Sequence, residues 1–402
     1  MLGIIVAFIV INVLLYFRKQ LYTAIFFGLV LIVLFNPVTP RESVVLFIDS
    51  ATSPIAVLLG LIILFFTGFG NLLKEMGSLT KMVEYLSRII RDVRVQLAVL
   101  PALMGLMMFP GGAVFSAPLV EEAGKTVELH KDRLVVINVL FRHVAYLIFP
   151  LYTTLILIGE LSSYSINRFI LFNLPLFTLA IIILSFTLFR GIQQPPKKPA
   201  DFSAIPALLY SLAPLLIVII LTMAFNIYLP MAIVTGILFA LFQYPPNEPL
   251  PVTLKHRLSL FYKGINWHMT ASIVSIIIFK DFLIESNAIN ALVDTLTTNG
   301  FPLYVLALII PFLIGFITGN HSAAIGISAP LFLTAAPPAQ AFHYLALTFV
   351  TGLDGYQGSP LHMCTVLTVQ HFNASLTTAV RKINLYVIGL SILALINFAI
   401  FI

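Results

Sequence analysis

The chain has 402 residues, of which 60% are hydrophobic and only 9% are charged. Soluble domains carry about 25% charged residues, so this composition excludes a soluble globular protein. The net charge of +6 does not indicate nucleic-acid binding, because the basic residues lie in short loops between apolar runs, where they set membrane topology. The single cysteine, Cys364, excludes an internal disulfide and a cysteine-based metal cluster.

Apolar runs long enough to cross a bilayer recur along the whole chain. The first, "LGIIVAFIVINVLLYF", has no basic region before it and no small-residue cleavage site after it, which favours a retained span over a signal peptide. Two further runs, at about 95–124 and 302–338, are interrupted by Pro and Gly. We predict membrane spans that start near residues 2, 21, 54, 133, 168, 205, 228, 266, 341 and 377.

The two halves of the chain resemble each other at a constant spacing. "LLKEMGSLTKMVEYL" aligns with "FLIESNAINALVDTL", and Glu75 and Glu285 differ by 210 positions. "PALMGLMMFPGGAVFSAPL" aligns with "PFLIGFITGNHSAAIGISAPL", and Pro101 and Pro311 again differ by 210 positions. The alternative to an internal repeat is that the two halves look alike only because apolar helices share a similar composition. We therefore predict a first repeat at 1–190, a cytoplasmic linker at 191–204 and a second repeat at 205–402.

The charge distribution selects the relative orientation of the two repeats. Each half holds five spans and one interrupted run, so the repeats are inverted if the interrupted runs turn back within the membrane and parallel if they cross it. With the N-terminus outside and both runs turning back, most of the 22 Lys and Arg residues lie on the cytoplasmic side. The sequence thus predicts an all-α polytopic membrane protein with two inverted repeats, each with five transmembrane helices plus one re-entrant helical hairpin.

This topology places both termini outside a plasma or inner membrane. The basic, amphipathic segment at 71–90 is predicted to lie in the cytoplasmic interface, and its acidic counterpart at 284–297 on the outer face. An extended loop is the alternative for these two segments.

Polar residues interrupt both hairpins at the predicted centre of the membrane. Non-helical backbone is tolerated there only where protein or a water-filled cavity surrounds it, so the tips at 109–116 and 318–324 are expected to face a cavity. A helix that starts at a tip presents unpaired N–H groups, and Asn320, Ser322 and Ser328 are all candidate N-caps. The spans that follow the hairpins, at 141–155 and 348–367, contain Pro or Gly and are predicted to be broken.

Arg142 and Asp354 are the charged residues predicted to lie within spans, where such residues are costly and usually functional. Arg142 is expected to hold a carboxylate through two parallel hydrogen bonds. Asp354, with His321 or His362, is expected to carry a proton or to coordinate Na⁺. The alternative is a structural ion pair, because Arg142 and Asp354 occupy nearly equivalent positions in the two repeats.

The predicted site combines the two tips with the two broken spans. The substrate-binding residues are Pro110, Gly111, Gly112, Ser116, Arg142, Gly319, Asn320, His321, Ser322, Gln357 and Ser359. The residues for cation coupling are Asp354, His321 and His362, with Na⁺ near Asp354 as one option, and the helix breaks are Pro150, Gly352, Gly355, Gly358 and Pro360.

Over nearly the whole chain, the paired hairpins "PALMGL…PGG…SAPL" and "PFLIGF…GNHSAA…SAPL", each followed by a broken span, resemble the ion-transporter superfamily. That superfamily includes gluconate permeases and citrate and dicarboxylate transporters. The resemblance is strongest to a prokaryotic family of integral membrane proteins that is distantly similar to gluconate permeases. It implies a homodimer with scaffold and transport domains and an elevator-type movement.

The expected function is secondary active transport of a small organic anion, such as a carboxylate or a sugar acid, coupled to H⁺ or Na⁺ and without a cofactor. Lipid and the anionic substrate are the other expected partners, without nucleic acid or ATP. "AGKT" at 123–126 is similar to a phosphate-binding loop, but Leu119 occupies the position of its first glycine. A passive channel is the structural alternative, and an intramembrane enzyme is a third class, although the chain has no His-Glu-x-x-His motif.

Overall fold

The computed structural model describes residues 2–17, 19–35, 39–106, 113–125, 127–193, 199–225, 227–243, 254–285, 298 and 300–402. Throughout these residues every regular element is helical. The first half contains α1 (Leu2–Tyr16), α2 (Leu21–Phe35), α3 (Pro40–Thr52), α4 (Pro54–Glu75), α5 (Ser78–Ile89), α6 (Val93–Leu106), α7 (Ala113–Lys125), α8 (Lys131–Val144), α9 (Thr153–Ser162) and α10 (Ile166–Leu188). The second half contains α11 (Ile205–Met223), α12 (Leu229–Phe242), α13 (Leu254–Gly264), α14 (Trp267–Glu285), α15 (Leu303–Thr318), α16 (His321–Ala335), α17 (Ala341–Gly358), α18 (Met363–Phe372) and α19 (Leu376–Phe401).

The predicted spans coincide with helices, so the prediction of a helical membrane protein is confirmed at this level. Within the described residues, five helices are long and apolar enough to cross a bilayer. The helices that begin at residues 2 and 21 are shorter, with 15 residues each. The five long apolar helices are Pro54–Glu75, Ile166–Leu188, Phe202–Met223, Trp267–Glu285 and Leu376–Phe401.

Large apolar side chains are exposed along one face of α19, as lipid contact requires. Leu385 is 71% exposed and Ile400 is also 71% exposed, and Ile388, Ile392 and Ile396 continue the same face between them. These positions follow each other at intervals of three or four residues, which is the spacing of one helix face. An apolar face of this length would cause aggregation in water, whereas the acyl chains of a bilayer solvate it.

Two short helices, α3 and α13, were not predicted as separate elements. The first begins with a capping box, in which the Thr39 side chain accepts from the Glu42 backbone N–H and the Glu42 carboxylate accepts from the Thr39 backbone. The predicted interfacial segment at 71–90 is split, because α4 ends at Glu75 and Gly77, with a φ of 71°, separates it from α5. Its predicted counterpart at 284–297 lies largely outside the described residues.

The contacts between helices divide them into two groups. One group contains α1 to α5 with α11 to α14, and α4 packs against α14 within it. The other contains α6 to α10 with α15 to α19, and its most extensive contact is that of α15 with α17. The groups meet where α14 packs on α16 and where α1 packs on α15. The sequence-predicted site residues that the structure describes all belong to the second group.

Glycines allow close helix crossings in this second group. A Cβ atom added at Gly105 on α6 would lie 2.1 Å from the Arg142 carbonyl oxygen, and one added at Gly315 on α15 would lie 2.5 Å from the Gly352 carbonyl oxygen. A Cβ atom at Gly355 would lie 2.0 Å from the Phe312 carbonyl oxygen. The prediction that Gly352 and Gly355 break the helix is wrong, since α17 runs through both and ends at Gly358. Close packing of Gly355 against α15 and of Gly352 against α16 outweighs the low helix propensity of glycine.

Candidate functional site

A tight turn at Gly319-Asn320, here called the hairpin turn, joins α15 to α16. Gly319 adopts a left-handed conformation with a φ of 60°, and its N–H donates to the Gly315 carbonyl oxygen at 2.8 Å, which ends α15. The Asn320 side chain then accepts from the Ala323 N–H at 3.0 Å and caps α16. Asn320 is therefore the N-cap among the three candidates, because Ser322 and Ser328 lie inside α16.

Two buried helices, α8 and α17, each end shortly before a proline, which lies in a gap without regular structure. In the first half, α8 continues as a 3₁₀ turn to Leu147, and α9 begins only at Thr153, so Pro150 lies in the gap at 148–152, the first break. In the second half, α17 ends at Gly358 and α18 begins at Met363, so Pro360 lies in the gap at 359–362, the second break. The Ser359 hydroxyl accepts from the Leu361 N–H at 3.0 Å and satisfies one backbone donor in this gap.

The hairpin turn packs directly on the second break. A Cβ atom added at Gly319 would lie 2.9 Å from the Leu361 carbonyl carbon and 3.1 Å from the His362 backbone nitrogen. Both the positive φ and this close approach therefore require glycine at position 319. Two interruptions of regular structure thus meet at one point inside the second group of helices.

His321, the first residue of α16, is held by hydrogen bonds at both ring nitrogens. Nε2 lies 3.0 Å from the Phe349 carbonyl oxygen, which can only accept, so Nε2 carries the proton. Nδ1 then accepts from the Tyr152 hydroxyl at 2.9 Å. Beside this pair, the Ser322 and Thr154 hydroxyls lie 3.0 Å apart. His321 thereby anchors the hairpin turn to α9 and α17 and has no nitrogen left for a cation.

Arg142 is a buried cation, with a side chain that is 2% exposed. Its Nη1 donates to the Ser116 hydroxyl on α7 at 3.3 Å, while its Nε has no hydrogen-bond partner. None of the salt bridges in the described part of the chain includes Arg142. The guanidinium is close enough to Tyr146 and Tyr356 to act on them electrostatically.

Asp354 is completely buried and lies on a different face of α17. Its Oδ2 accepts from the Ser391 hydroxyl on α19 at 2.6 Å, and its Oδ1 has no partner. Phe349 and Gly352, in contrast, face the ring of His321. The structure therefore does not bring Asp354 together with His321, and Asp354 and Arg142 form no ion pair.

Aromatic rings surround the point where the hairpin turn meets the second break. Tyr146 stacks on Tyr152 with ring centroids 4.1 Å apart, and Tyr356 contacts His362 at the same centroid distance. His143 lies between these pairs, 5.0 Å from the Tyr146 centroid and 5.6 Å from that of Tyr356. Each of these rings thus carries a polar atom as well as an apolar face.

The remaining predicted substrate-binding residues differ in their burial and in their hydrogen bonds. Ser116 and Ser359 are fully buried and hydrogen-bonded as described above. Gln357 is 2% exposed, and its Nε2 has no partner, so its amide remains available to a ligand. Pro110, Gly111 and Gly112, predicted for the first hairpin tip, lie outside the described residues.

Five residues of this site were missed in the sequence: His143, Tyr146, Tyr152, Thr154 and Tyr356. A signal for the three tyrosines was present, because the spacing of 210 relates Tyr146 to Tyr356 and Tyr152 to His362. A polar or aromatic residue that recurs next to the two breaks indicates a site position.

Comparisons with known proteins place the chain in one family. Residues 2–401 match the model of a family described as protein of unknown function (DUF401). A search of curated proteins finds no match to the sequence.

Proposed function

We propose that this chain, which belongs to the DUF401 family over nearly its whole length, is a secondary active transporter of a small organic anion. It is built from two inverted repeats with re-entrant hairpins, it works as an elevator-type homodimer in a cell membrane, and it couples transport to H⁺ or Na⁺. The observation that carries the proposal is Arg142, a buried cation that has no salt-bridge partner among the described residues and lies near a helix break and two tyrosines.

Equivalent backbone features at a spacing of 210 residues support the repeat. The close contact of Gly105 with the Arg142 carbonyl recurs as that of Gly315 with the Gly352 carbonyl. Further pairs are the left-handed residues at the ends of α9 and α18, Ser163 with a φ of 59° and Asn373 with a φ of 48°, and the N-caps of α10 and α19, Ser165 and Ser375.

Contacts between the halves support a twofold relation between them. Helix α7, the second arm of the first hairpin, packs on α18, which follows the second break. Helix α16, the second arm of the second hairpin, packs on α9, which follows the first break. Each hairpin thus meets the broken span of the other repeat, an arrangement typical of transporters with inverted repeats.

Contacts of basic side chains with residues at or near the predicted linker support the orientation. Arg88 on α5 forms a salt bridge with Asp201 in this linker at 2.6 Å. Arg133 on α8 donates to the Leu188 carbonyl oxygen at the end of α10 at 2.7 Å. Lys382 on α19 lies 3.3 Å from Asp132 at the start of α8. These basic residues are among those predicted to lie in the cytoplasm.

The chemistry of the site favours an anion. Removing a charge from water costs several kcal/mol, and an opposite charge offsets that cost. An anion at Arg142 would also meet the Tyr146 and Tyr356 rings. The Tyr356 hydroxyl can donate to a carboxylate oxygen, whereas the Tyr146 hydroxyl already donates to the Gly105 carbonyl oxygen at 3.2 Å. We assign coupling to Asp354, because its unpartnered oxygen can take up a proton within the same group of helices.

Reconstitution in proteoliposomes tests the proposal. Thermal-shift screening against carboxylates and sugar acids would first select a ligand, and labelled ligand would then be taken up under an imposed H⁺ or Na⁺ gradient. Wild-type protein should accumulate the ligand above equilibrium, Arg142→Gln should lose accumulation, and Arg41→Gln, at an exposed arginine in α3, should keep it. Uptake that only equilibrates and shows no counterflow would instead indicate a passive channel, and chemical conversion of the ligand would indicate an enzyme.

A further inference from the structure

A second cluster of potential ligands lies beside the proposed anion site. His143 on α8, His362 in the second break and Cys364 in the first turn of α18 each offer one ligand atom, and these atoms all lie within 4.8 Å of one another. Both histidines are completely buried, and Cys364 is half-buried. A single cysteine cannot form a multi-cysteine cluster, but it is sufficient for a mixed site with two histidines.

Both histidines keep a nitrogen without a partner. Nδ1 of His143 lies 2.6 Å from the Val139 carbonyl oxygen, which can only accept, so Nδ1 carries the proton and Nε2 keeps its lone pair. Nδ1 of His362 lies 3.1 Å from the Thr365 hydroxyl. Nε2 of each ring has no hydrogen-bond partner, although buried polar atoms are normally paired.

His143 shows the pattern that is typical of histidines that bind metals. A metal-binding imidazole usually donates its other N–H to a carbonyl or carboxylate group, which fixes the ring and leaves the free nitrogen facing the metal. We propose that His143, His362 and Cys364 bind one thiophilic d¹⁰ metal ion, Cu⁺ in preference to Zn²⁺. This site goes beyond the proposed transport function, since anion binding at Arg142 does not require it.

Charge and geometry favour the monovalent ion. Arg142 acts electrostatically on both histidines, so added positive charge is disfavoured. Binding removes the thiol proton to solvent, so Cu⁺ with a thiolate adds no net charge, whereas Zn²⁺ with a thiolate adds one positive charge. Metal bonds of this kind hold their donor atoms about 3.5 Å apart, so the present cluster must contract by roughly 1 Å. His362 lies in the second break, where no continuous helix restrains it.

The test uses purified, full-length protein without a histidine tag. Because Cys364 is the sole cysteine, the rate of thiol alkylation reports on this site alone. One equivalent of Cu⁺, kept reduced under anaerobic conditions, should slow alkylation by at least about tenfold, and competition with a chromogenic chelator should give one tight site that binds Zn²⁺ more weakly. Unchanged alkylation in wild-type protein at one equivalent would overturn the proposal.

Variants separate this site from adventitious binding. His143→Ala, His362→Ala and Cys364→Ser should each weaken Cu⁺ binding by at least about tenfold. His371→Ala should leave binding unchanged, because this histidine contacts Glu121 away from the cluster. Equal affinity in all four variants would mean that Cu⁺ binds elsewhere, and tighter binding of Zn²⁺ than of Cu⁺ would overturn the preference. If a variant fails to fold, the alkylation rate of wild-type protein with and without Cu⁺ still tests the proposal.

Discussion

The Tyr152 hydroxyl donates a hydrogen bond of 2.9 Å to Nδ1 of His321. Tyr152 precedes α9 in the first half of the chain, and His321 begins α16 in the second half. The parallel contact between Thr154 and Ser322, at 3.0 Å, joins the same two helices. These side chains fix the hairpin turn against the other half of the molecule.

Tyr152→Phe should destabilise the protein by about 0.6–1.7 kcal/mol, the range of side-chain hydrogen bonds between membrane helices. The ring and its stacking on Tyr146 remain, so the loss comes from the hydroxyl alone. Thermal unfolding in detergent would measure it. Tyr164→Phe is the matched control, since Tyr164 contacts Phe342 and Arg168 through its ring. Equal unfolding temperatures of the two variants would contradict a role of the hydroxyl as an anchor.

Gly319→Ala should cost at least roughly 1–2 kcal/mol, because the Cβ atom of alanine strains a left-handed conformation. The added methyl group would also contact the backbone at Leu361, 2.9 Å away. Gly389→Ala is the control, because a Cβ atom added there meets nothing within 4 Å and alanine favours a helix. Thermal unfolding should therefore separate the two variants, and a tolerated Gly319→Ala would disprove close packing of the hairpin turn on the second break.

The inverted topology predicts opposite faces for residues 125 and 339. Both side chains are exposed, so single cysteines there, introduced with Cys364→Thr, should react with a membrane-impermeant maleimide from opposite sides of the membrane. A cysteine at Lys131 should react from the same side as one at Lys125. Labelling of residues 125 and 339 from one side would disprove the inverted arrangement.

The positions of the helices could be predicted from the sequence, because long apolar runs have few alternatives in a bilayer. The hairpin turn and the two breaks were also predictable, since Gly319, Pro150 and Pro360 all disfavour a continuous helix. Helix α3 was missed because Arg41 and Glu42 make its start polar. Its capping box was nevertheless visible in the sequence.

The contacts of the site depend on packing that the sequence shows only indirectly. Gly352 and Gly355 resemble helix breakers when they are judged by propensity alone. Gly355 nevertheless allows the close approach of α15 to α17, and Gly352 packs against His321 and Ala324 on α16. With a repeat of 210 residues, Asp354 corresponds to position 144 of the first half, two residues after Arg142. On a helix this difference of two residues points the two side chains in different directions, and their hydrogen-bond partners differ. A spacing that locates residues along a helix does not locate their partners.

Arg142 and Asp354 should contribute independently to the stability of the protein. Their partners are Ser116 on α7 and Ser391 on α19, and the two residues share none. Effects of sites without shared partners add within about 0.5 kcal/mol. Arg142→Gln, Asp354→Asn and the double variant should therefore give additive changes in the free energy of unfolding. An ion pair would predict that the double variant recovers the stability that each single variant loses.

The same variants should differ in transport. Arg142→Lys keeps the charge but loses the planar pair of donors, so we expect ligand binding to weaken roughly 10- to 100-fold, which corresponds to about 1.5–3 kcal/mol for a charge-assisted hydrogen bond. Asp354→Asn mimics the protonated acid, so gradient-driven accumulation should disappear, while exchange of labelled for unlabelled ligand continues. Uptake and exchange would be measured in the same proteoliposomes, with Arg41→Gln as the control. Gradient-driven accumulation by the double variant at the wild-type rate would refute both assignments, because a transporter that needs neither residue must bind its ligand and its coupling ion elsewhere.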